Sequence, residues 1–525
     1  MHAPVDDRPV VVVGAGPVGQ TAALLLARWG LRVVLLDPRP ARDPVGSKAI
    51  CQQRDVLDVW DAVGVGRQLA DEGVTWTTAR TFHRDGELFA DRFQDRGRSP
   101  FPPFVNVSQS RTEQLLDERL AACPLVELRW DCEVVGLEQD DAGARVRCRT
   151  PDGELELATP YVVAAPGARG DAVRRLLGLS FDGTTHGDQF LICDVRTDLP
   201  GWQDERRFWF DPAWNPGRQV LIHPCPDSVF RIDWQVPPDF DLAAEQASGG
   251  LDRRIRQIIG DRAYELVWRS SYRFHSRVVD RMQVGRVLVA GDAAHLVAPF
   301  GARGLNSGVL DAENAAWKIA FVLHGWAPPE LLASYHDERH AAAVENLVVT
   351  GATMRFLVPQ DDAERQERQD VLERARAEPA ARARVDSGRL AEPFWYVDSP
   401  LTTADPARPF PGRPPRGEVP APAPGVLVPD CPVLPSGRLR PLLRAGLTLL
   451  AGDGVDLDVL GGLATGSAAP LAVHRASALS PELVAILGAA PHEVWLVRPD
   501  GHVAAVCADP RAVPGALRRV LAVPG

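Results

Sequence analysis

Lysine is almost absent from this 525-residue sequence: Lys48 and Lys318 are the only two, and arginine supplies the rest of its 58 basic residues. Acidic residues number 69, which gives a net charge of −11. A chain with this charge balance is not expected to bind nucleic acid, because contacts to a phosphate backbone require clustered positive charge. We interpret the scarcity of lysine as a compositional bias and attach no function to it.

Paired cysteines and long hydrophobic runs are also missing. The eight cysteines are scattered without a CxxC pair or another metal-ligand spacing, which predicts no metal site and reduced thiols in a cytoplasmic protein. No apolar stretch approaches the length of a membrane span, and the N-terminus has no signal-peptide core. With 45% hydrophobic residues, the chain is expected to form two or three soluble domains without a membrane partner.

The N-terminal segment carries the first informative pattern. Val10 to Val13 form a β-branched run that is typical of a strand buried on both faces of a parallel sheet. Three glycines follow it at positions 14, 16 and 19. Gly14 is expected to permit a tight turn, Gly16 to let the backbone approach a pyrophosphate, and Gly19 to let the next helix pack closely on the strand.

A helix and a second strand complete a dinucleotide-binding unit. The helix is predicted from Pro17 to about Trp29, with its free N–H groups and its dipole facing the phosphates. The second strand, Val33 to Leu36, ends at Asp37, whose carboxylate is placed to accept hydrogen bonds from an adenosine ribose. A glycine turn without a ligand is the alternative, and this segment alone does not distinguish NAD from FAD.

A second glycine-rich segment, more than 270 residues later, favours a flavin. A buried strand is predicted over 286–290, and Asp292 follows it at the carboxyl end of the sheet, where a short carboxylate can bind sugar-like hydroxyls. The stretch 299–308 contains three glycines, and a helix is predicted over about 309–323. Closely spaced glycines let main-chain N–H groups converge on an acceptor, such as the pyrimidine edge of a flavin ring.

With these two segments in place, the chain resembles the group A flavoprotein aromatic hydroxylases, the family of p-hydroxybenzoate hydroxylase. It looks closest to the phenol and 3-(3-hydroxyphenyl)propionate hydroxylase-like monooxygenases. The resemblance covers roughly residues 8 to 355. It is carried by the N-terminal glycines, by Asp37, by Gly-Arg-Val-Leu-Val-Ala-Gly-Asp-Ala-Ala-His over 285–295, by Pro-Phe-Gly-Ala-Arg-Gly-Leu-Asn-Ser-Gly over 299–308, and by Asp-Ala-Glu-Asn-Ala-Ala-Trp-Lys over 311–318.

The resemblance implies FAD as the cofactor and a set of residues that contact it. Asp292 would bind the ribityl chain, and the amides of Leu305 and Asn306 would lie near the N1/O2 edge of the isoalloxazine ring. Lys48 would approach the FAD phosphate or ribose and Gln109 would line the site; the alternative for each is an ordinary polar residue at the surface. The full set is Gly14, Gly16, Pro17, Gly19, Asp37, Lys48, Gln109, Asp292, Pro299, Gly301, Gly304, Leu305 and Asn306.

One position departs from the family pattern. Where the family has an Asp-Gly pair after a buried strand, this chain has Pro166 and Gly167. The aspartate is associated in the family with both the FAD pyrophosphate and the nicotinamide cofactor, and proline offers neither a carboxylate nor an N–H. Flavin binding is expected to survive on the other contacts, whereas the use of NADPH or NADH is the property that this substitution is expected to affect.

A strand-rich stretch after residue 180 is the expected source of the substrate pocket. Along Val229 to Val236, apolar residues alternate with polar ones, which predicts a sheet with one apolar face. Such a face could form one wall of an aromatic pocket, and it could equally pack as ordinary core. The candidate substrate residues are His223, Trp234 and Phe300, and the sequence identifies no catalytic residue.

The expected fold class is α/β: a Rossmann-like FAD-binding domain with an inserted β-sheet substrate domain, followed by a thioredoxin-like α/β domain. The FAD-binding domain is assigned to residues 1–75, 105–180 and 280–355, and the substrate domain to 76–104 and 181–279. A helical and proline-rich linker over 356–424 leads to the thioredoxin-like domain over 425–525. This last domain lacks CxxC, includes a predicted hairpin over 493–507, and is expected to serve in packing or in a dimer contact.

The resemblance implies an FAD-dependent monooxygenase that hydroxylates a phenolic or polyketide-like small molecule. NADPH or NADH would reduce the flavin, O2 would add to it as a C4a-hydroperoxide, and the aromatic ring would attack the distal oxygen. A Baeyer–Villiger oxygenase and a flavin oxidase on the same fold are alternatives. A non-catalytic flavin-binding protein is a third, which Pro166 makes conceivable. A homodimer is left open, as are the substrate and the choice between NADH and NADPH.

Overall fold

Five β-sheets and sixteen α-helices form the part of the chain that the computed structural model describes, which comprises residues 7–43, 49–92, 99–386, 390, 392–413 and 420–524. The strands are β1 (Val10–Val13), β2 (Val33–Leu36), β3 (Cys51–Gln53), β4 (Thr78–His83), β5 (Gly86–Arg92), β6 (Phe104–Asn106), β7 (Val126–Arg129), β8 (Glu133–Asp140), β9 (Gly143–Thr150), β10 (Gly153–Thr159), β11 (Val162–Ala164), β12 (Phe181–Thr197), β13 (Glu205–Phe210), β14 (Gln219–Cys225), β15 (Val229–Val236), β16 (Tyr264–Val279), β17 (Gln283–Val284), β18 (Val287–Val289), β19 (His295–Leu296), β20 (Leu447–Ala451), β21 (Leu471–Arg475), β22 (Val494–Val497) and β23 (Val503–Cys507).

The helices connect these strands, and the two longest, Arg303–Leu323 and Ala333–Leu357, are neighbours that precede the C-terminal region. They are α1 (Pro17–Arg28), α2 (Arg54–Asp61), α3 (Gly66–Glu72), α4 (Gln109–Ala121), α5 (Asp171–Leu176), α6 (Leu242–Ala247), α7 (Gly250–Ile259), α8 (Arg303–Leu323), α9 (Ala333–Leu357), α10 (Asp362–Arg374), α11 (Pro379–Arg382), α12 (Leu439–Leu443), α13 (Leu457–Gly466), α14 (Ala476–Leu479), α15 (Pro481–Leu487) and α16 (Val513–Val520).

A six-stranded sheet positions both glycine-rich segments. Its strand order is β17-β18-β11-β1-β2-β7, and all neighbours except β17 and β18 pair in parallel. Every residue of β1 is buried, as expected of a β-branched strand covered on both faces. Because β18, β11 and β1 are adjacent and parallel, the loops that leave their carboxyl ends emerge at the same edge of the sheet.

An eight-stranded sheet forms a second layer, with the order β19-β16-β12-β15-β14-β13-β4-β5. It is antiparallel except where β4 pairs with β13. The predicted strand Val229 to Val236 is confirmed as β15. Strands β4 and β5, which lie more than 80 residues before β12 in the sequence, complete this sheet.

The C-terminal region forms a separate four-stranded sheet with the order β21-β20-β22-β23. Strands β20 and β21 are parallel, and β22 and β23 form the antiparallel hairpin that the sequence predicts. Two small antiparallel sheets, β10-β9-β8 and β3-β6, complete the set. The predicted α/β class is therefore confirmed as an α/β fold with mixed sheets, whereas its division into named domains stays a prediction.

Helix α8 begins six residues earlier than the sequence predicts. The glycine spacing predicts a loop up to Gly308 and a helix from about Val309, whereas the structure begins the helix at Arg303 and includes Gly304 and Gly308. A Cβ atom on Gly308 would lie 2.6 Å from Cγ2 of Val18 on α1. The glycine is therefore required for close packing of α8 on α1, and it does not mark a turn.

Membrane and metal features are limited. No single helix of the described residues is long and apolar enough to cross a bilayer, although the pair Pro329–Leu357 and Asp362–Arg374, bent by 82°, passes by length and composition. The described part of the chain contains no group of three or more metal-ligating side chains. All eight cysteines are free thiols, in agreement with the scattered spacing.

A buried charge cluster joins the C-terminal sheet to α8 and α9. Arg498, which directly follows β22, donates hydrogen bonds of 2.5 and 2.9 Å to the two carboxylate oxygens of Glu338 on α9, and it also pairs with Asp500. Lys318 of α8 lies 2.7 Å from the same glutamate. Burial raises the pKa of Glu338, but Arg498 and Lys318 outweigh it and hold that pKa well below its usual range.

Replacing Arg498 by methionine is expected to lower the free energy of unfolding by about 3–5 kcal/mol, because it leaves Glu338 and Asp500 buried with too little positive charge. Chemical denaturation followed by circular dichroism measures this change. Arg511→Met is the matched control, since Arg511 pairs with Asp509 at the surface and is 91% exposed. Equal midpoints for the two variants would contradict a structural role of the cluster.

Candidate functional site

Two of the three N-terminal glycines are required by packing. Gly14 has φ +99°, and a Cβ atom there would lie 2.3 Å from the carbonyl oxygen of Ala165, the residue that follows β11. A Cβ atom on Gly19 would lie 1.8 Å from the carbonyl oxygen of Gly14. The turn after β1 and the first turn of α1 therefore touch each other backbone to backbone, which only glycine permits.

The third glycine faces open space. Gly16 is the N-cap residue of α1 with φ −76°, and nothing lies within 4 Å of a Cβ atom built on it. Pro17 is the first residue of the helix, where its missing N–H costs nothing. The first N–H groups of a helix have no partner inside it and attract negative charge, so this corner offers both the room and the donors that a pyrophosphate needs.

Asp37, which the sequence predicts to bind the adenosine ribose, forms hydrogen bonds with two groups of the protein. Asp37 accepts hydrogen bonds from the Ala15 N–H at 2.8 Å and from the Arg39 guanidinium at 2.7 and 3.0 Å. Burial raises the pKa of Asp37, but the hydrogen bonds from Arg39 and Ala15 outweigh it and lower the pKa overall. The carboxylate is therefore ionised at the end of β2, next to the turn that carries Gly16.

Two arginines near this turn were missed by the sequence analysis. Arg42 donates to the carbonyl of Ala15 at 2.5 Å and pairs with Asp117 at 2.6 Å. The guanidinium groups of Arg39 and Arg42 lie 5.6 and 5.2 Å from the ring centroid of Trp130. They place positive charge and an aromatic surface beside the turn. In a sequence so rich in arginine, nothing distinguishes these two from surface residues.

The two predicted polar residues of the first half have different outcomes. Gln109, the first residue of α4, donates to Glu113 at 2.8 Å, and Glu113 in turn contacts Arg42 at 3.2 Å. Gln109 is therefore connected to the glycine turn through two intermediate side chains, Glu113 and Arg42, the second of which donates to the Ala15 carbonyl. Lys48 lies outside the described residues.

The second glycine-rich segment is anchored by a buried carboxylate. Asp311 of α8 accepts hydrogen bonds from the Gly291 N–H at 2.9 Å, from His295 at 2.7 Å and from Arg339 at 2.7 Å. Burial raises the pKa of Asp311, but His295 and Arg339 outweigh it and lower the pKa to about 2. Asp292 is exposed beside this anchor, and its Oδ1 would lie 3.9 Å from a Cβ atom on Gly304.

The N-terminus of α8 carries the other predicted flavin contacts. Pro299 and Gly301, with φ +93°, precede Ala302, which takes the left-handed conformation at φ 55° and is the N-cap. Gly304 and Leu305 are among the first residues of the helix, whose main-chain N–H groups have no partner within it, and Asn306 follows in the same turn.

The side chain of Asn306 has a structural function that the sequence did not indicate. It accepts a hydrogen bond from the Gln53 N–H at 2.9 Å and donates to the carbonyl of Cys51 at 2.9 Å. These two hydrogen bonds connect the start of α8 to β3. Because the side chain of Asn306 is used in them, the predicted contact with the flavin would be made by its main-chain N–H.

The two glycine-rich loops are neighbours at one edge of the six-stranded sheet. A Cβ atom on Gly308 would lie 2.6 Å from Val18 and 3.1 Å from the Cα atom of Gly291. Helix α8, the loop at Gly291 and helix α1 are therefore in direct contact. An elongated dinucleotide fits this arrangement, because the space beside Gly16, the exposed Asp292 and the first turn of α8 follow one another along the same edge.

The candidate substrate residue Phe300 lies on one face of the eight-stranded sheet. It is buried against Phe190 of β12 and Phe274 of β16, with ring centroids 5.6 and 6.0 Å away. His223 of β14 is half-buried and lies on the same face as Leu221, which belongs to the cluster around Phe300. This cluster, named here the Phe300 cluster, contains Leu88, Phe190, Ile192, Phe208, Phe210, Leu221, Phe274, Ala298, Phe300, Met354, Leu357, Val358, Leu372, Ala375 and Ala381.

The assignment of Trp234 to a substrate pocket needs correction. Trp234 is fully buried on the opposite face of the sheet, in a cluster with Leu251, Ile255 and Ile259 of α7. The predicted alternation along β15 is present, and its apolar face packs on α7. Trp234 therefore has the core-packing role that the sequence left as the alternative.

Comparison with known proteins gives a family match. The sequence matches the model of the FAD-binding domain family over residues 7–350. It is 34% identical over 361 residues to a 3-(3-hydroxy-phenyl)propionate/3-hydroxycinnamic acid hydroxylase of Burkholderia vietnamiensis, which covers 66% of this chain and 63% of that protein. It is 29% identical over 369 residues to para-nitrophenol 4-monooxygenase of a Pseudomonas species, covering 68% and 89%. The match thus spans less than two thirds of the length of the first relative.

Two solved structures share the fold over nearly the whole chain. The flavin-dependent monooxygenase PieE, in complex with FAD and substrate, has a TM-score of 0.87 at 25% identity and covers 99% of this chain and 100% of that one. Aklavinone-11 hydroxylase, with FAD and aklavinone, has a TM-score of 0.79 at 25% identity, with coverage of 98% and 99%.

The different surroundings of Gly16 and Gly19 give a matched pair of variants. Gly16→Ala is expected to weaken FAD binding at least tenfold while leaving the unfolding temperature of the apoprotein unchanged, because its methyl group enters only the open space. Gly19→Ala is expected to lower both the affinity for FAD and the unfolding temperature of the apoprotein, because its methyl group would collide with the Gly14 carbonyl. Fluorescence titration with FAD and thermal unfolding of the apoprotein measure the two effects. Unchanged FAD affinity in Gly16→Ala would contradict a phosphate site at this turn.

Proposed function

Since the chain belongs to the FAD-binding domain family, we propose that it is an FAD-dependent monooxygenase that hydroxylates an aromatic, phenolic or polyketide-like small molecule with NADPH or NADH and O2. The observation that carries the proposal is the meeting of the α1 and α8 N-termini at one sheet edge, with the Phe300 cluster beside the second of them. FAD, when bound, supplies the redox chemistry, and the protein supplies its orientation and electrostatic surroundings.

The proposed cofactor contacts follow from the two helix termini. The first turn of α1, with Gly16 open, would hold the pyrophosphate, and Asp37 the adenosine ribose. Asp292 would bind the ribityl hydroxyls. The amides of Leu305 and Asn306 would face the pyrimidine edge of the ring, where a helix N-terminus stabilises the negative charge that reduction brings. Pro299, Gly301 and Gly304 would leave space for the ring, and Gln109 would act through Glu113.

The proposed substrate side of the site is the face of the eight-stranded sheet that carries Phe300. Aromatic rings on β12, β13 and β16 cover this face and keep water away, which an oxygen-transferring flavin enzyme needs in order to avoid releasing peroxide. His223 lies on the same face and stays a candidate substrate contact. Similar proteins named as acting on hydroxyphenylpropionate, nitrophenol and aklavinone support an aromatic substrate.

We also propose the domain division given by the sequence. The pairing of β4 with β13 supports the grouping of 76–104 with 181–279 as a substrate domain within a Rossmann-like FAD-binding domain. The mixed sheet β21-β20-β22-β23 with its helices supports a thioredoxin-like unit over 425–525. Its contacts to α8 and α9 support a packing role in the monomer. A homodimer and a cytoplasmic location stay expectations.

Pro166 favours a second candidate, a flavin-binding protein that is not reduced by nicotinamides. Its Cα atom would lie 2.8 Å from a Cβ atom on Gly14, so that the proline stands directly against the dinucleotide turn. The position offers no carboxylate and no N–H there. Baeyer–Villiger and oxidase chemistry would share the cofactor site and would differ in the product.

The proposed reaction is expected to show substrate-stimulated oxidation of NADPH or NADH by the yellow, FAD-loaded protein, with one oxygen atom of ¹⁸O2 appearing in a hydroxylated product. Oxygen uptake and product mass measure it across a panel of phenols and polyketide-like aromatics. An oxidase would incorporate no label, and a Baeyer–Villiger oxygenase would give an ester or lactone.

The control for the nicotinamide step is anaerobic reduction by dithionite. If dithionite bleaches the flavin absorbance but neither NADPH nor NADH does so with any substrate, the result contradicts the proposed reaction. It then favours the flavin-binding protein that nicotinamides do not reduce. Pro166→Asp, which restores the usual carboxylate, then tests whether that position is responsible.

A further inference from the structure

The sheet face that carries Phe300 also holds a carboxylate that none of the proposed cofactor contacts uses. Asp233 of β15 lies directly opposite Leu221 of β14 and Ile192 of β12 in the strand ladders. Both neighbours belong to the Phe300 cluster. Since side chains alternate along a strand, Asp233 points to the Phe300 side while Trp234 beside it points to α7.

The Asp233 carboxylate has no hydrogen-bond partner among the residues that the structure describes, and its Oδ1 is fully buried. Two more buried polar atoms nearby also have none: Nδ1 of His223 on β14 and Oδ1 of Asn106 on β6. Leaving a carboxylate oxygen and two further polar atoms unsatisfied is unfavourable, and folded proteins rarely keep such groups without a use for them. Together they define a polar patch that a ligand with hydrogen-bonding groups would satisfy.

The arginine closest to Asp233 in sequence does not form a hydrogen bond with it. Arg231 donates two hydrogen bonds, of 2.7 and 2.8 Å, to Asp194 of β12, and its guanidinium lies 5.3 Å from the ring centroid of Trp268. Asp194 therefore already balances the charge of Arg231. Asp233 is left as the carboxylate of this face that can accept a hydrogen bond from a ligand.

The polar patch is connected to the start of α8. Asn306 donates to the carbonyl of Cys51, Cys51 pairs with Asn106 across the β3-β6 ladder, and Asn106 donates to the carbonyl of Pro224 at 2.9 Å. Pro224 follows His223 on β14. This chain of contacts fixes the patch relative to the turn of α8 that is proposed to face the flavin ring.

We propose that Asp233 binds a hydroxyl group on the aromatic ring of the substrate and takes its proton; this rests on the proposed function. In that step the substrate O–H bond breaks, an O–H bond forms on the carboxylate, and the ring oxygen keeps the electron pair. The ring becomes richer in electrons, which favours its attack on an electrophilic oxygen. The aromatic side chains of the Phe300 cluster would hold the apolar part of the ring beside it.

The electrostatics of the patch suit this role. Burial raises the pKa of Asp233 to about 7, Asp194 adds to the rise, and Arg231 and Arg206 oppose it. Burial, with Arg206 and Arg231, also lowers the pKa of His223 well below its usual range, so that this histidine is neutral. The ionisable groups that surround Asp233 on its own and the neighbouring strands are Cys193, Asp194, Arg206, His223, Cys225 and Arg231.

The test titrates a bound phenol, and p-nitrophenol serves as the probe because only its phenolate absorbs strongly in the visible. In the wild-type FAD-loaded protein, the probe and Asp233 compete for one proton and repel each other once both are charged. In Asp233→Asn the charge is gone and the shape is kept. Conversion of the bound probe to phenolate is therefore expected to finish at least about one pH unit higher in the wild type than in this variant.

Kinetics give a second readout. With a phenol that the wild type hydroxylates, the rate is expected to rise with pH through about 7 as Asp233 ionises. In Asp233→Asn this rise of the rate with pH is expected to disappear. The kcat of this variant is expected to fall by about 100-fold or more, the usual loss when a proton acceptor is removed. Asp233→Glu should restore part of both properties. Asp239→Asn is the matched control, since Asp239 is an exposed carboxylate shortly after β15 and should change neither readout.

The outcomes separate the two proposals. An unchanged titration of the bound probe in Asp233→Asn, or no binding of the probe by the wild type, overturns the role of Asp233. A wild-type protein that shifts the titration as expected but inserts no oxygen into any phenol contradicts the proposed reaction and leaves Asp233 as a phenol-binding residue. Dithionite bleaching and flavin content, which should match in all variants, show that each is folded and loaded.

Discussion

The close approach of α8 to α1 is the constraint on which the site depends. Gly291 and Gly308 bring the two helices and the loop after β18 together at Val18. A Cβ atom on Gly308 would collide with Val18 at 2.6 Å, and one on Gly291, which has φ +63°, would lie 3.1 Å from the same side chain. Because of this contact, two helix N-termini that are far apart in sequence open at one edge of one sheet. A cofactor long enough to use both would have its phosphates at the first and its ring at the second, and the packing at the two glycines would then set the distance between those positions.

Buried charge is the second theme of the molecule, and it serves two different ends. Around Asp311 and around Glu338, each carboxylate is matched by cations and hydrogen bonds, and the clusters fix helices and loops relative to each other. On the inner face of the eight-stranded sheet, Arg231 and Asp194 are matched but Asp233 is not. In the first two clusters, folding alone supplies a partner for each carboxylate. Asp233, in contrast, obtains a hydrogen-bond partner only when a ligand binds. This difference is a physical reason to look for chemistry at Asp233 and for stability at Glu338.

The sequence predicted the α/β class and the first glycine turn because a β-branched strand followed by this glycine spacing is a local pattern. The positive φ of Gly14 and the contact of Gly19 with the Gly14 carbonyl are requirements of that turn itself. It placed the start of α8 too late, since Gly308 is needed by a helix that lies 290 residues away in the chain, and no local pattern shows this. It recognised the alternation along β15 but left open whether its apolar face lines a pocket or packs as core, because a period of two does not show which face meets a helix. Arg42 and Asp233 were not singled out, as their meaning lies in neighbours from other strands and loops.

The position of Arg498 has a consequence for how this protein can be divided. The family match ends at residue 350, yet the cation that neutralises Glu338 of α9 comes from a residue almost 150 positions further on. A fragment that ends at the family boundary would expose the sides of α8 and α9 that contact the C-terminal sheet. Glu338 would then keep only Lys318, of the cations in this cluster, as a counter-ion. The C-terminal sheet therefore contributes to the packing around α8 and α9, and a truncated or chimeric protein must retain Arg498 and Asp500 to keep Glu338 neutralised.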